Sequence, residues 1–272
     1  MRGLPRLLAL GLAANAASAP AQSLSYQDVL AAEHAVGPLL SYQPMETGAM
    51  PVGAATAAIT EAAGPVRAAY FDRIEWQGRR GGDGWSWDLS GEVGSQRHRL
   101  WLAAAGDAEI DGRLSYVEGQ ALYSHPILAA GLAVQAGLRY DFVRPRRAHA
   151  ALGLQGNLNE PLYVGAFGFL STQGDLTGRA YAYYNWEPLP RLVLQPYAGM
   201  ELAAHDIPAL DLGRGPTSAE LSLRIRYRIS EPFSPYVGIS WDRLLGRTAR
   251  IARTAGEELE ATSLILGIRS YF

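Results

Sequence analysis

One eleven-residue stretch does most to limit what this chain can become. From Ala219 to Ile229, Leu221, Leu223, Ile225, Tyr227 and Ile229 alternate with Glu220, Ser222, Arg224, Arg226 and Arg228. Strict alternation at period two makes a strand with one apolar and one polar face. The same pattern recurs at Trp85–Val93 and at Leu132–Phe142. Each run is about ten residues or longer, whereas strands of globular proteins average about five or six. Ten tilted residues are what a strand needs to cross a bilayer.

Twelve such segments follow one another, roughly 69–77, 84–94, 97–105, 112–124, 131–142, 147–158, 161–172, 176–187, 190–204, 217–230, 233–245 and 261–272. An even count, with short turns on one side and longer loops on the other, is the pattern of an outer-membrane barrel. The short turns fall at Ser95-Gln96, Asn159-Glu160, Pro188-Leu189 and Glu231-Pro232, with a longer one at 125–130. The longest connections, 205–216 and 246–260, belong to the opposite side. The fold expected is an all-β, antiparallel transmembrane barrel of about 12 strands behind a flexible N-terminal tail.

An Arg on the lipid face costs about 2–4 kcal/mol at the bilayer midplane. Arg224, Arg226 and Arg228 therefore face the lumen, and parity places Asp88, Glu92, Glu118, Arg139, Asp141, His149, Arg179, Glu187, Glu201, Glu220, Asp242 and Arg269 there too. Mixed signs predict ion pairs across a narrow lumen. Trp76, Trp85, Trp186, Trp241 and Tyr236 lie near strand ends and are expected in the interfacial girdles. Leu264, Leu266, Ile268 and the terminal Phe272 share a face, like the assembly signal of outer-membrane barrels.

The N-terminus reads differently. Arg2 and Arg6, the apolar run Leu7–Ala17 and Ala19-Pro20-Ala21 make a secretory signal, with cleavage expected after Ala21. Residues 22–68 are Ala-rich and broken by Gly and Pro, as in a periplasmic tether, with one short helix possible at 23–35. No segment holds the ~20 apolar residues of a transmembrane helix.

Composition removes several chemistries. The sequence has no Cys, so thiol catalysis, Cys-based zinc sites and disulfides are excluded. All 24 basic residues are Arg, against 26 acidic ones, so there is no basic excess for nucleic acid. The five His, at 34, 98, 125, 149 and 205, sit in no hydrolase or zinc-protease motif. His98 and His125 flank turns and are expected to be solvated there. No enzymatic activity is expected.

Several blocks carry a family resemblance. They are Phe71-Asp-Arg-Ile-Glu-Trp76, Leu122-Tyr-Ser-His125, Gln135-Ala-Gly-Leu-Arg-Tyr-Asp-Phe142, Leu194-Gln-Pro-Tyr197, Glu220 to Ile229, Ser234-Pro-Tyr-Val-Gly-Ile-Ser-Trp241 and the C-terminal block 248–272. Over residues 69–272 the chain resembles the outer-membrane copper resistance protein B family. That resemblance implies copper tolerance by binding or exporting copper ions, with periplasmic copper-binding proteins as partners and the outer-membrane lipid as surroundings. Family members carry a Met- and His-rich segment ahead of the barrel, whereas this tail offers His34, Met45 and Met50.

Thioether sulfur suits Cu(I) and imidazole suits Cu(II). Candidate metal ligands are thus His149, His205, Met200 and Glu201 in the barrel, with His34, Met45 and Met50 in the tail. Parity turns Glu201 inward and Met200 outward, and gives His149 Asp141, Glu201 and Glu220 as possible oxygen neighbours. A non-conducting scaffold for periplasmic copper proteins, or a barrel hydrolase, are the alternative readings.

Overall fold

The computed structural model describes residues 66–79, 82–127, 131–159, 161–230 and 232–272. The expected signal peptide, the short helix at 23–35, the candidate ligands His34, Met45 and Met50, and nearly all of the expected tail lie outside the described residues. β1 starts at Val66, three residues before the expected start of the barrel.

Among the described residues, thirteen strands run antiparallel in one sheet: β1 Val66–Arg79, β2 Gly84–Gly94, β3 Arg99–Glu109, β4 Leu114–Ile127, β5 Leu132–Asp141, β6 Arg147–Asn159, β7 Leu162–Ser171, β8 Leu176–Tyr184, β9 Trp186–Leu189, β10 Leu192–Ala203, β11 Gly215–Tyr227, β12 Phe233–Leu244 and β13 Glu260–Tyr271. β9 is a four-residue continuation of β8 beyond Asn185, and both pair with β10. The wall is therefore twelve strands wide, as the alternation predicts. β1 pairs with both β2 and β13, which closes the sheet into a barrel.

Closure runs to the last residue. The Phe272 N–H donates to the Ala69 carbonyl and the Ala69 N–H to the Phe272 carbonyl, each at 2.8 Å. The Phe272 ring meets Phe71 edge to face. Both ends of the barrel's chain thus lie at the rim that carries the short turns, called the turn end below. The opposite rim is the loop end.

Burial confirms the sidedness of the strands. On β11, Leu221, Leu223 and Ile225 are 51%, 41% and 41% exposed, while Arg224 and Arg226 are 8% and 5% exposed. Apolar side chains outside and charges inside is the inverse of a globular protein, and it is what a lipid solvent demands.

Two expectations need correction. Tyr236 is no girdle residue. Val237 and Ile239 hold the outer face of β12, so Tyr236 points inward and donates its hydroxyl to Glu75 at 3.0 Å. The connection at 246–260 is not irregular throughout: Gly246–Ala255 forms the helix α1. Thr248 and Ala252, one turn apart, are its buried positions, and Gly256 ends it in a left-handed conformation at φ 80°. α1 is fastened to the other long loop by the Arg247–Asp206 ion pair at 2.9 Å. The Gly213 N–H also donates to the Thr248 hydroxyl at 3.0 Å.

β1 also carries a bulge between Phe71 and Arg73 in its pairing with β2. A bulge inserts one residue and breaks the alternation. Asp72 and Arg73, adjacent in sequence, therefore both reach the lumen.

The ion pair between Glu75 on β1 and Arg224 on β11 is among the most buried in the barrel. Its side chains are 0% and 10% exposed, and Tyr236 supplies a further hydrogen bond. Removing one member strands a buried charge. Glu75→Gln is expected to lower unfolding free energy by ~3–5 kcal/mol. Glu75→Gln combined with Arg224→Gln is expected to recover part of that loss. Urea unfolding of the lipid-reconstituted barrel, followed by Trp fluorescence, measures both.

Candidate functional site in the barrel lumen

The lumen is crossed by a chain of alternating charges. Glu201 on β10 accepts from Arg179 Nε on β8 at 3.0 Å. Arg179 Nη1 donates to Glu118 on β4 at 2.9 Å and its Nη2 to the Tyr116 hydroxyl at 3.0 Å. Glu118 also takes Arg139 Nε of β5 at 2.9 Å, which reaches Asp141 at 2.8 Å. Asp141 lies 2.9 Å from His149 Nε2 on β6. A second group, Glu75, Arg224 and Tyr236, braces the opposite side. Near the turn end, Arg99 and Glu92 pair at 2.9 Å with both side chains 5% exposed.

Aromatic rings pave the rest. Tyr163, Tyr181 and Tyr197 stack side by side at centroid spacings of 6.4 and 6.3 Å. Arg139 lies over the Phe169 ring at 4.6 Å. Between these groups remains a cavity of about 760 Å³. The predicted ion-pair network is present, and it leaves the lumen unfilled.

The predicted ligands are not gathered around one point. His149, 5% exposed, ends the charge chain through Asp141, and its buried Nδ1 has no hydrogen-bond partner among the described residues. Of the oxygen neighbours expected for it, Asp141 alone is in contact. Glu201 sits at the far end of the same chain, separated from His149 by Arg179, Glu118 and Arg139. Met200 pairs in register with Ala219, on the outward parity of Leu221 and Leu223. His205 lies at the loop end, where its Nε2 is 3.2 Å from Asp175 Oδ1. Among the described residues, no group of three or more His, Asp or Glu is placed to hold a metal ion.

Sequence reasoning missed Asp72, Arg73, Glu75 and Asp107, all of which face the lumen. A signal for the first two existed: two consecutive charges in a membrane strand require a bulge if neither is to meet lipid.

At the loop end, Asp175 joins three partners: His205, Arg147 and the Ser171 hydroxyl. Burial works to raise its carboxyl, but the His205 hydrogen bond and the Arg147 guanidinium outweigh it and hold it below the usual carboxylate range. A depressed carboxyl stabilises the fold above its unfolded value, and that contribution is lost as pH falls through the folded one. Amides of 172–175 and 204–207 are expected to keep their hydrogen-exchange protection at pH values above about 4 and lose it on further acidification. Asp175→Asn is expected to abolish the same protection at neutral pH.

A closed twelve-strand wall, apolar outside and charged within, defines an outer-membrane β-barrel. The solved NanC porin has the same fold, at a TM-score of 0.50 and 15% identity over 73% of this chain and 98% of that one. The family described as "Copper resistance protein B precursor (CopB)" matches residues 66–272. A copper resistance protein B homolog of Pseudomonas syringae pv. tomato is 36% identical over 207 residues, 75% of this chain and 69% of that protein. Copper resistance protein B of Escherichia coli is 33% identical over 204 residues, 74% of this chain and 68% of that protein. The chain belongs to the copper resistance protein B family.

Proposed function

We propose that the barrel binds copper ions in its lumen and passes them across the outer membrane, in concert with periplasmic copper-binding proteins. The observation that carries this reading is the charge balance of the cavity lining. Nine carboxylates face six guanidiniums there, and no His is among the lining residues. Asp88, Asp107 and Asp242 line the cavity and make no ion pair within 4.0 Å among the described residues. A low-dielectric wall focuses that negative field on the lumen and concentrates cations there.

Oxygen donors select the harder ion. Cu(I) favours thiolate and thioether, and the lining offers one thioether, Met200, at a strand position of outward parity, against nine carboxylates. The lumen therefore takes hydrated Cu(II), held loosely enough by carboxylates to leave again. The unfilled cavity supports conduction over a purely scaffolding role.

Cu(II) entry into proteoliposomes, followed with an internal chelating dye, tests this reading. The wild-type barrel is expected to admit Cu(II). Asp88→Asn, Asp107→Asn and Asp242→Asn combined are expected to slow entry by roughly tenfold. Equal rates for empty liposomes and barrel-containing ones contradict it, as does a triple variant that conducts Cu(II) like wild type.

A further inference from the structure

Two histidines outside the lumen stand together at the turn end. His98 closes the turn before β3, and His125 lies near the end of β4. Arg99 and Ser124 are directly paired, so His98 and His125 face each other one step further toward the rim. Both are exposed and share the outward parity of Leu100 and Tyr123. Their ring centroids are 5.5 Å apart, with the planes tilted by 43°. A metal bonded to an imidazole nitrogen at about 2.0 Å sits roughly 3 Å from the ring centroid, so two rings sharing one ion stand at most about 6 Å apart. The observed spacing meets that limit.

Hydrogen bonding prepares the pair. His125 Nδ1 is 2.9 Å from the Arg97 carbonyl oxygen. A carbonyl only accepts, so that nitrogen carries the proton and Nε2 of the neutral ring keeps its lone pair. His98 Nδ1 is engaged by the Tyr123 hydroxyl, against whose ring His98 stacks. Holding one imidazole nitrogen to fix the tautomer and aim the other is how proteins prepare metal-binding histidines.

We infer that His98 and His125 form a two-histidine site for a divalent transition-metal ion, Cu(II) foremost, on the turn-end rim. Among the described residues no third His, Asp or Glu joins them. The remaining coordination positions therefore belong to water or to a ligand group of another protein. Short turns of outer-membrane barrels face the periplasm. An incomplete, exposed site there suits ligand-by-ligand transfer with a periplasmic metal-carrying protein. The site is separate from the lumen and stands whether or not the lumen conducts.

The full chain in detergent, titrated with glycine-buffered copper(II) sulfate and read by pulsed electron paramagnetic resonance, tests it. The expected signal is one Cu(II) bound by two imidazoles. It is lost in both His98→Gln and His125→Gln and kept in His34→Gln. Each loss weakens that site about tenfold or more, because one ring alone cannot chelate. A two-imidazole signal that persists in either variant overturns the inference. Independent one-imidazole sites, each removed by its own variant, overturn it as well. Diethylpyrocarbonate labelling of wild type, read by mass spectrometry, needs no variant: Cu(II) is expected to protect His98 and His125 together, and their unprotected labelling contradicts the pair.

Discussion

The whole arrangement depends on the cost of exposing charge to lipid. Every guanidinium and carboxylate within the span of the bilayer is driven inward, because hydrocarbon offers no hydrogen bonds and no screening. That single constraint sets strand parity, and parity sets the lumen. Once more than a dozen charges share a narrow interior, they must satisfy one another. The chain from Glu201 through Arg179, Glu118 and Arg139 to Asp141 and His149 is the result.

Pairing on that scale braces the barrel but does not fill it. Part of the reason is glycine. Tyr181 lies flat across Gly165, with its Cζ 2.3 Å from where a Cβ would stand, and Tyr197 covers Gly199 in the same way. Rings laid against the wall leave room in the centre that upright rings would take. The cavity that remains has more carboxylates than guanidiniums around it. That excess of carboxylates is the feature on which the proposed cation path rests.

Much of the fold was legible because the signal is local. Leu221 to Ile229 fixes strand, length and facing within one short segment, and eleven further segments repeat the lesson. Departures arose where one residue breaks the period. The bulge at Phe71–Arg73 shifts parity within β1 and brings Asp72 and Arg73 both inside. The place of Tyr236 near a strand end suggests the girdle, whereas its pairing with Arg226 turns it inward to Glu75. α1 leaves no trace in the sequence because what fastens it is tertiary: Thr248 accepts from the Gly213 N–H of the other long loop and Arg247 pairs with Asp206 there. The site was less legible still. Lumen contacts join residues as far apart as Glu75 and Arg224, and the facing of His98 and His125 depends on β-register across 27 positions.

The central claim is that the lumen is an acidic path for cations. The zero-current potential of the full chain in a planar bilayer, measured under a potassium chloride gradient, tests it most directly. The account predicts a potential of the sign set by potassium permeation, reduced when the lumen carboxylates are neutralised with Asn. A potential set by chloride, or a barrel that passes no current at all, contradicts it.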